Sequence, residues 1–276
     1  MIRENDHYRL EITRTGLLHL TTRGEVVMDR GALHEFLDMS QKVPSRDPHG
    51  DLQRSVHHYI QVYRDVVIKE RKEERDIHIA GQLDTEGGLS SSMEFQTFVK
   101  VDDTPIIKIN VWRRYMRDIA LSVDDSICFL SPPSFAEEFY VYSPEMDYMI
   151  MDDDDITRWK LPTTGQISGG GDVAACTRIP RRLKATMRNS GYGVLMGDGA
   201  GFGVILADYN VTEGAPSSKG EFRAHRPRPP AEKKFDELEF QWSPTGPRST
   251  GMIETAKFLV VPCGRPEDVE VVWLSL

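Results

Sequence analysis

Apolar and polar residues alternate with period two along most of this chain, the pattern of strands with one buried face. Tyr8-Arg9-Leu10-Glu11-Ile12 alternates in this way, Gly16 introduces Leu17-Leu18-His19-Leu20, and Gly24 precedes Val26-Val27-Met28. These read as three short strands with turn residues between them. Gly31 to Met39, with Leu33, Phe36 and Leu37 on one side, reads as one or two helical turns, and Pro44 to Gly50 as a loop rich in breakers. Strand character returns at Val56, and Val62 to Ile68 alternates again. Lys69 to Arg75 is an unbroken run of charge, read as a solvated hairpin tip leading into Ile77-His78-Ile79.

The strongest local pattern is Met93 to Arg114, two β-rich runs around Asp102-Asp103-Thr104. A three-residue loop would pair Val99 with Ile107, Thr97 with Ile109 and Phe95 with Val111, leaving one face almost wholly apolar. The opposite face would then carry Glu94, Gln96, Phe98, Lys108, Asn110 and Trp112. Pro105 stands at a strand start, where a missing N–H is tolerated. Further strands are expected at Phe139–Tyr142, Tyr148–Met151, Gly191–Met196, Phe202–Ala207, Leu238–Trp242, Phe258–Val261 and Val269–Trp273. Gly197 to Gly201 is a hairpin by composition, and residues 213–234 read as a long surface loop. The pattern predicts an all-β chain with few short helices: a large antiparallel β-sandwich, with residues 1–276 as one domain.

Composition narrows the function classes. A net charge of −9 argues against a general phosphate-binding surface, so no nucleic-acid partner is expected. No apolar run approaches the roughly 18 residues of a membrane helix, and Met1 to Asp6 has no signal-peptide core, so a cytoplasmic protein without a membrane partner is expected. Cys128, Cys176 and Cys263 form no Cys-x-x-Cys pair and read as buried reduced thiols. The run Asp152 to Asp155 lacks the glycine and bidentate Glu of a calcium loop, so no metal site is expected. The segments Gly169–Gly171 and Gly197–Gly203 open no amphipathic helix, so no nucleotide cofactor is expected.

The order of strands resembles the galactose-mutarotase-like β-sandwich, or supersandwich, of aldose epimerases and of domains in many polysaccharide lyases and glycoside hydrolases. Three stretches carry the resemblance: Glu4 to Leu10 followed by Gly16; Val66 to Glu70 and Ile77 to Gly81 followed by Phe95 to Trp112; and Gly191 to Val194 with Phe202 to Val204. It implies a carbohydrate, or another polar small molecule, as substrate in a polar groove. No family-specific catalytic motif is matched, so the residue roles come from facing alone.

On that basis Glu94, Gln96, Asn110 and Trp112 would contact the sugar, Trp112 stacking on a ring. Arg113 or Arg114 would hold an anionic group. His57 or His58, with Tyr59 or His78, would move protons, because imidazole titrates near neutrality. The reaction class expected is a lyase acting on uronate-containing glycans or an epimerase-like isomerase. A non-catalytic glycan-binding or assembly domain and a small-molecule cyclase of secondary metabolism are the alternatives. Nothing in the sequence specifies an oligomer.

Overall fold

The structure, a computed structural model, describes residues 1–38, 57–58, 61–85, 89–118, 123–143, 146–152, 163–167, 171–176, 182–188, 191–211, 220–225, 239–244 and 248–276. In chain order the strands are β1 (Ile2–Glu4), β2 (Arg9–Ile12), β3 (Leu18–Thr22), β4 (Glu25–Asp38), β5 (His57–His58), β6 (Gln61–Arg71) and β7 (Asp76–Thr85). They continue with β8 (Leu89–Val101), β9 (Ile107–Tyr115), β10 (Val123–Leu130), β11 (Glu138–Ser143), β12 (Met146–Asp152), β13 (Thr163–Ile167) and β14 (Gly171–Cys176). The last are β15 (Arg182–Arg188), β16 (Tyr192–Met196), β17 (Gly201–Val211), β18 (Gly220–His225), β19 (Glu239–Pro244) and β20 (Ile253–Cys263), followed by the helix α1 (Pro266–Leu274).

Two antiparallel sheets result. The first runs β1-β2-β3-β4-β10-β19-β18-β15-β12, with β5 paired to β4; the second runs β13-β14-β11-β16-β17-β20-β9-β8-β7-β6. Alternation decides what lies between them. Leu10, Leu18, Leu20, Ile127, Phe129 and Trp242 of the first sheet share one buried cluster with Ile79, Phe95, Ile109, Val111 and Phe258 of the second. Phe258 meets Phe129 edge-on at 5.1 Å and Trp242 at 6.3 Å, so aromatic contacts join the sheets.

The outer side of the second sheet is divided. Over β11, β16 and the adjoining ends of β17 and β20 it is apolar, and α1 covers it through Val269 and Trp273, which pack on Tyr142, Tyr192 and Leu259; towards β9 the outer side of β20 turns polar, with Thr255 and Lys257 exposed. Close approach requires Gly203: a β-carbon there would lie 2.5 Å from Val269 Cγ2. Over β9, β8, β7 and β6 the same side is polar.

Four expectations are corrected. The β8–β9 hairpin is slipped by two residues, pairing Val99 with Ile109, Thr97 with Val111 and Phe95 with Arg113. A two-residue slip preserves every side chain's face. The loop is therefore residues 102–106, organised by Asp102, whose Oδ1 accepts from the Thr104 amide at 3.0 Å, and by Asn5 Nδ2 donating to the Asp102 carbonyl at 2.8 Å.

Gly31 to Asp38 is not helical but part of the long β4, which pairs with β10 from Arg30 to Asp38. A positive φ of 53° at Ala32 and shifts in the β3–β4 register mark an irregular strand, whose periodicity imitates a helix. Val269–Trp273 is helical rather than a strand. Pro266 stands in the first turn, and Asp268 Oδ2 accepts from the Gly264 and Arg265 amides at 2.9 and 3.1 Å. That cap overrides the β-branched run. Finally, the stretch read as a long loop contains β18, which pairs with both β15 and β19.

The charged hairpin tip is as expected, with β6 ending at Arg71 and β7 beginning at Asp76. No helix among the described residues is long and apolar enough to cross a membrane. Cys128 and Cys263 are buried and carry no disulfide, and burial pushes the Cys263 thiol well up.

Candidate functional site

Alternation along β7, β8 and β9 places Gln82, Ala80, His78 and Asp76, then Glu94, Gln96, Phe98 and Lys100, then Lys108, Asn110, Trp112 and Arg114 on the outer side of the second sheet. Their Cα partners form continuous rungs. One links Trp112 to Gln96 and Ala80; the next links Asn110 to Phe98, His78 and Lys69. Glu94, Gln96, Asn110, Trp112 and Arg114 therefore share one polar strip with His78. From Glu94 to Lys100 the strip runs about 20 Å at the usual rise of a strand.

Within the strip side chains hold one another. His78 Nε2 lies 3.1 Å from Gln96 Oε1, and its ring stacks on Phe98 at 4.7 Å with planes 5° apart. The Arg71 guanidinium sits 4.8 Å from the same Phe98 ring centre and grips Asp76 through both carboxylate oxygens. With Gln96 Oε1 as acceptor, His78 donates from Nε2, which leaves Nδ1 as the basic nitrogen. Glu94 and Arg114 pair loosely at 3.9 Å, both open to solvent. Trp112 is half-buried between Gln96 and Thr255.

Arg113 is not on this face. As the neighbour of Trp112 it points the other way, and it is only 1% exposed. Its Nη2 donates to Glu254 Oε2 at 2.9 Å, the Tyr115 hydroxyl donates to the same oxygen at 2.6 Å, and the guanidinium lies 5.3 Å from the Trp242 ring centre. A guanidinium committed to a buried carboxylate does not hold a ligand anion, so that role is withdrawn for Arg113.

His57 and His58 form β5 and pair with Asp38 and Leu37 of β4, which places them in the first sheet, apart from the strip. Tyr59 lies outside the described residues.

Sequence reasoning missed the interior cluster of Arg113, Tyr115, Glu254 and His34. His34 is 1% exposed, its ring lies tilted against Phe95 at 4.7 Å, and among the described residues neither ring nitrogen has a hydrogen-bond partner. Burial, and then the nearby Arg113 charge, hold its pKa well below the ordinary value. The Tyr63 hydroxyl accepts from the His34 amide at 2.9 Å, supplying the bond a neighbouring strand would otherwise make. Parity was the available signal: Glu254 shares a face with Ala256, Phe258 and Val260, and Arg113 with Ile109 and Val111. Two opposite charges at core positions of adjacent strands announce a buried pair.

Among the described residues no group of three or more His, Cys, Asp or Glu side chains could hold a metal ion. A cleft of about 520 Å³ at one end of the sandwich is lined by Asp6, His7, Arg23, Pro105, Pro262 and Val271, and by no residue of the strip.

No protein-family model matches the chain, and no curated protein matches it in sequence. Solved structures do match in shape. A crystal structure from Escherichia coli K12, named there as a candidate aldose 1-epimerase, aligns with 96% of this chain and 99% of its own at a TM-score of 0.50 and 10% identity. The fold is the galactose-mutarotase-like sandwich. A galactose mutarotase related enzyme from Lactobacillus acidophilus aligns at a TM-score of 0.47 and 12% identity, over 95% of this chain and 97% of its own. A heparinase III aligns with 97% of this chain and 36% of its own, at a TM-score of 0.42 and 8% identity. In this fold the polar strip and the surface under α1 lie on one sheet face. At such identities the likeness fixes the architecture, and chemistry has to be argued from the strip.

Proposed function

We propose that the chain is a carbohydrate-active protein that binds a saccharide along the outer strip of the second sheet. The observation that carries this reading is the convergence of Trp112, Gln96, Asn110, Glu94, Arg114 and His78 on one side of three adjacent strands. An indole offers an apolar platform to a sugar ring, while amides, a carboxylate and a guanidinium bond its hydroxyls directionally. His78 is the group suited to moving a proton at the bound sugar, as an epimerase-like or lyase-like reaction requires, with Nδ1 as base and Gln96 fixing the ring. His57, His58 and Tyr59 remain part of the proposal as proton carriers.

A second reading is glycan binding without turnover. It is favoured by one feature: the hydrogen bond that holds the His78 ring is made with the Gln96 amide and not with a carboxylate.

The test has two arms. Calorimetry with a panel of neutral and acidic oligosaccharides should show binding by the wild type and its loss in Trp112→Ala. Polarimetry of aldose anomers and absorbance of unsaturated uronates then measure turnover in the wild type, His78→Ala, His57→Ala and His58→Ala. Binding without turnover selects the second reading; absence of binding to every saccharide removes both.

A further inference from the structure

Two lysines face each other at the end of the strip. Lys100 and Lys108 are directly opposed Cα partners on β8 and β9, both exposed and both on the outer side. Like charges at directly opposed positions destabilise a sheet, and this pair stands in a chain of net charge −9.

Among the described residues no carboxylate forms an ion pair with either lysine. Asp76 is the β7 partner of Lys100, but both of its oxygens are engaged by Arg71. The Asp102 charge acts on both lysines and offsets part of their repulsion, while its Oδ1 is held by the Thr104 amide and hydroxyl within the loop. On the other flank Lys108 is paired with Leu259. Lys69, one rung along beside His78, adds a third cation to the same side. Among the described residues no carboxylate bridges the two lysines, so the arrangement is a place for an anion.

Position adds a second constraint. Lys108 and Trp112 lie four residues apart on β9, about 13 Å along the strand. A ligand centred on the indole and also reaching the lysines is longer than one sugar ring.

We propose that the strip takes an acidic oligosaccharide, its carboxylate or sulfate ester seated between Lys100 and Lys108 and a neighbouring ring stacked on Trp112. This rests on the saccharide-binding reading above and goes beyond it by naming chain length and charge.

The experiment uses tetrasaccharides of hyaluronan, polygalacturonate and alginate, each against its carboxyl-reduced neutral counterpart, and sulfated chondroitin tetrasaccharide against its desulfated form. Calorimetry is run at low and high salt on the wild type, Lys100→Gln/Lys108→Gln and Trp112→Ala. Both lysines are exposed, so the double variant is expected to fold. The wild type should bind at least one acidic form five-fold or more tighter than its neutral counterpart, and salt should erode that preference. The carboxyl and sulfate arms identify which acid is taken. The double lysine variant should lose the preference and keep neutral binding, whereas Trp112→Ala should lose both. Equal binding of acidic and neutral forms by the wild type, or a preference that survives in the double variant, overturns this inference and leaves the saccharide-binding reading standing. Failure of every oligosaccharide to bind overturns both.

Discussion

Replacing Glu254 by Ala tests whether the sandwich interior is organised as described. Glu254 and Arg113 are each 1% exposed, and one carboxylate oxygen receives both the guanidinium at 2.9 Å and the Tyr115 hydroxyl at 2.6 Å. Removing the carboxylate breaks a buried ion pair, which costs about 3–5 kcal/mol. The Tyr115 contribution is part of the same network and does not simply add to that figure. In a protein of this size each kcal/mol moves Tm by about 2–4 °C, so Glu254→Ala should melt roughly 6–20 °C below the wild type. Glu254→Gln keeps an acceptor for Tyr115 but not the charge, and should fall between. The double variant Arg113→Met/Glu254→Met removes both charges and should be more stable than Glu254→Ala, because apolar replacement of a buried pair is often nearly neutral. Thermal and urea unfolding followed by circular dichroism measure all four proteins. A Glu254→Ala protein within about 1 kcal/mol of wild type, or a double variant no better than the single, would refute the buried-pair account.

Three further outcomes are expected. His34 has a folded pKa depressed below its unfolded value, so the unfolded chain takes up the proton first and stability falls as pH drops below about 6.5; His34→Phe should flatten that part of the Tm–pH curve, which a pH series of melts will show. Gly203→Val should displace α1, because the new side chain enters space held by Val269; loss of the Trp273 contact with Tyr142, read by near-ultraviolet circular dichroism, checks it. Asp268→Ala removes the acceptor for the Gly264 and Arg265 amides and should destabilise by about 1 kcal/mol in a urea titration, with no change in saccharide binding.

The fold class was legible because alternation is a local property. Ile77, Ile79, Phe95, Val99, Ile107 and Ile109 announce their buried faces without reference to any partner strand. The hairpin register was not legible to the same degree. A slip of two residues keeps every face, so the apolar pattern cannot separate Val99–Ile107 from Val99–Ile109. What selects the longer loop is the bonding around Asp102, including a bond from Asn5, which is remote in sequence. The C-terminal helix was missed for the converse reason. Val269, Val271 and Val272 favour a strand locally, and the decision belongs to Pro266, Asp268 and a binding surface of Tyr142, Tyr192 and Leu259 contributed by other strands.

The same distinction governs the candidate site. Parity along β9 puts Asn110, Trp112 and Arg114 together, so the strip was readable from one strand and its neighbour; the same parity turns Arg113 away from them, although the sequence reading kept Arg113 beside Arg114 as an anion holder. A catalytic set is a different kind of object, because its members need not share a strand or a sheet. His78 stands in the second sheet, and His57 and His58 in the first, on a two-residue strand beside β4. Sequence facing had no means of relating them. Mutating His78 alone therefore asks more than a panel of histidines would. If its loss abolishes turnover while binding persists, the strip is the place of reaction. If turnover survives and only His57→Ala or His58→Ala removes it, the strip holds the sugar and the proton is handled from the other sheet.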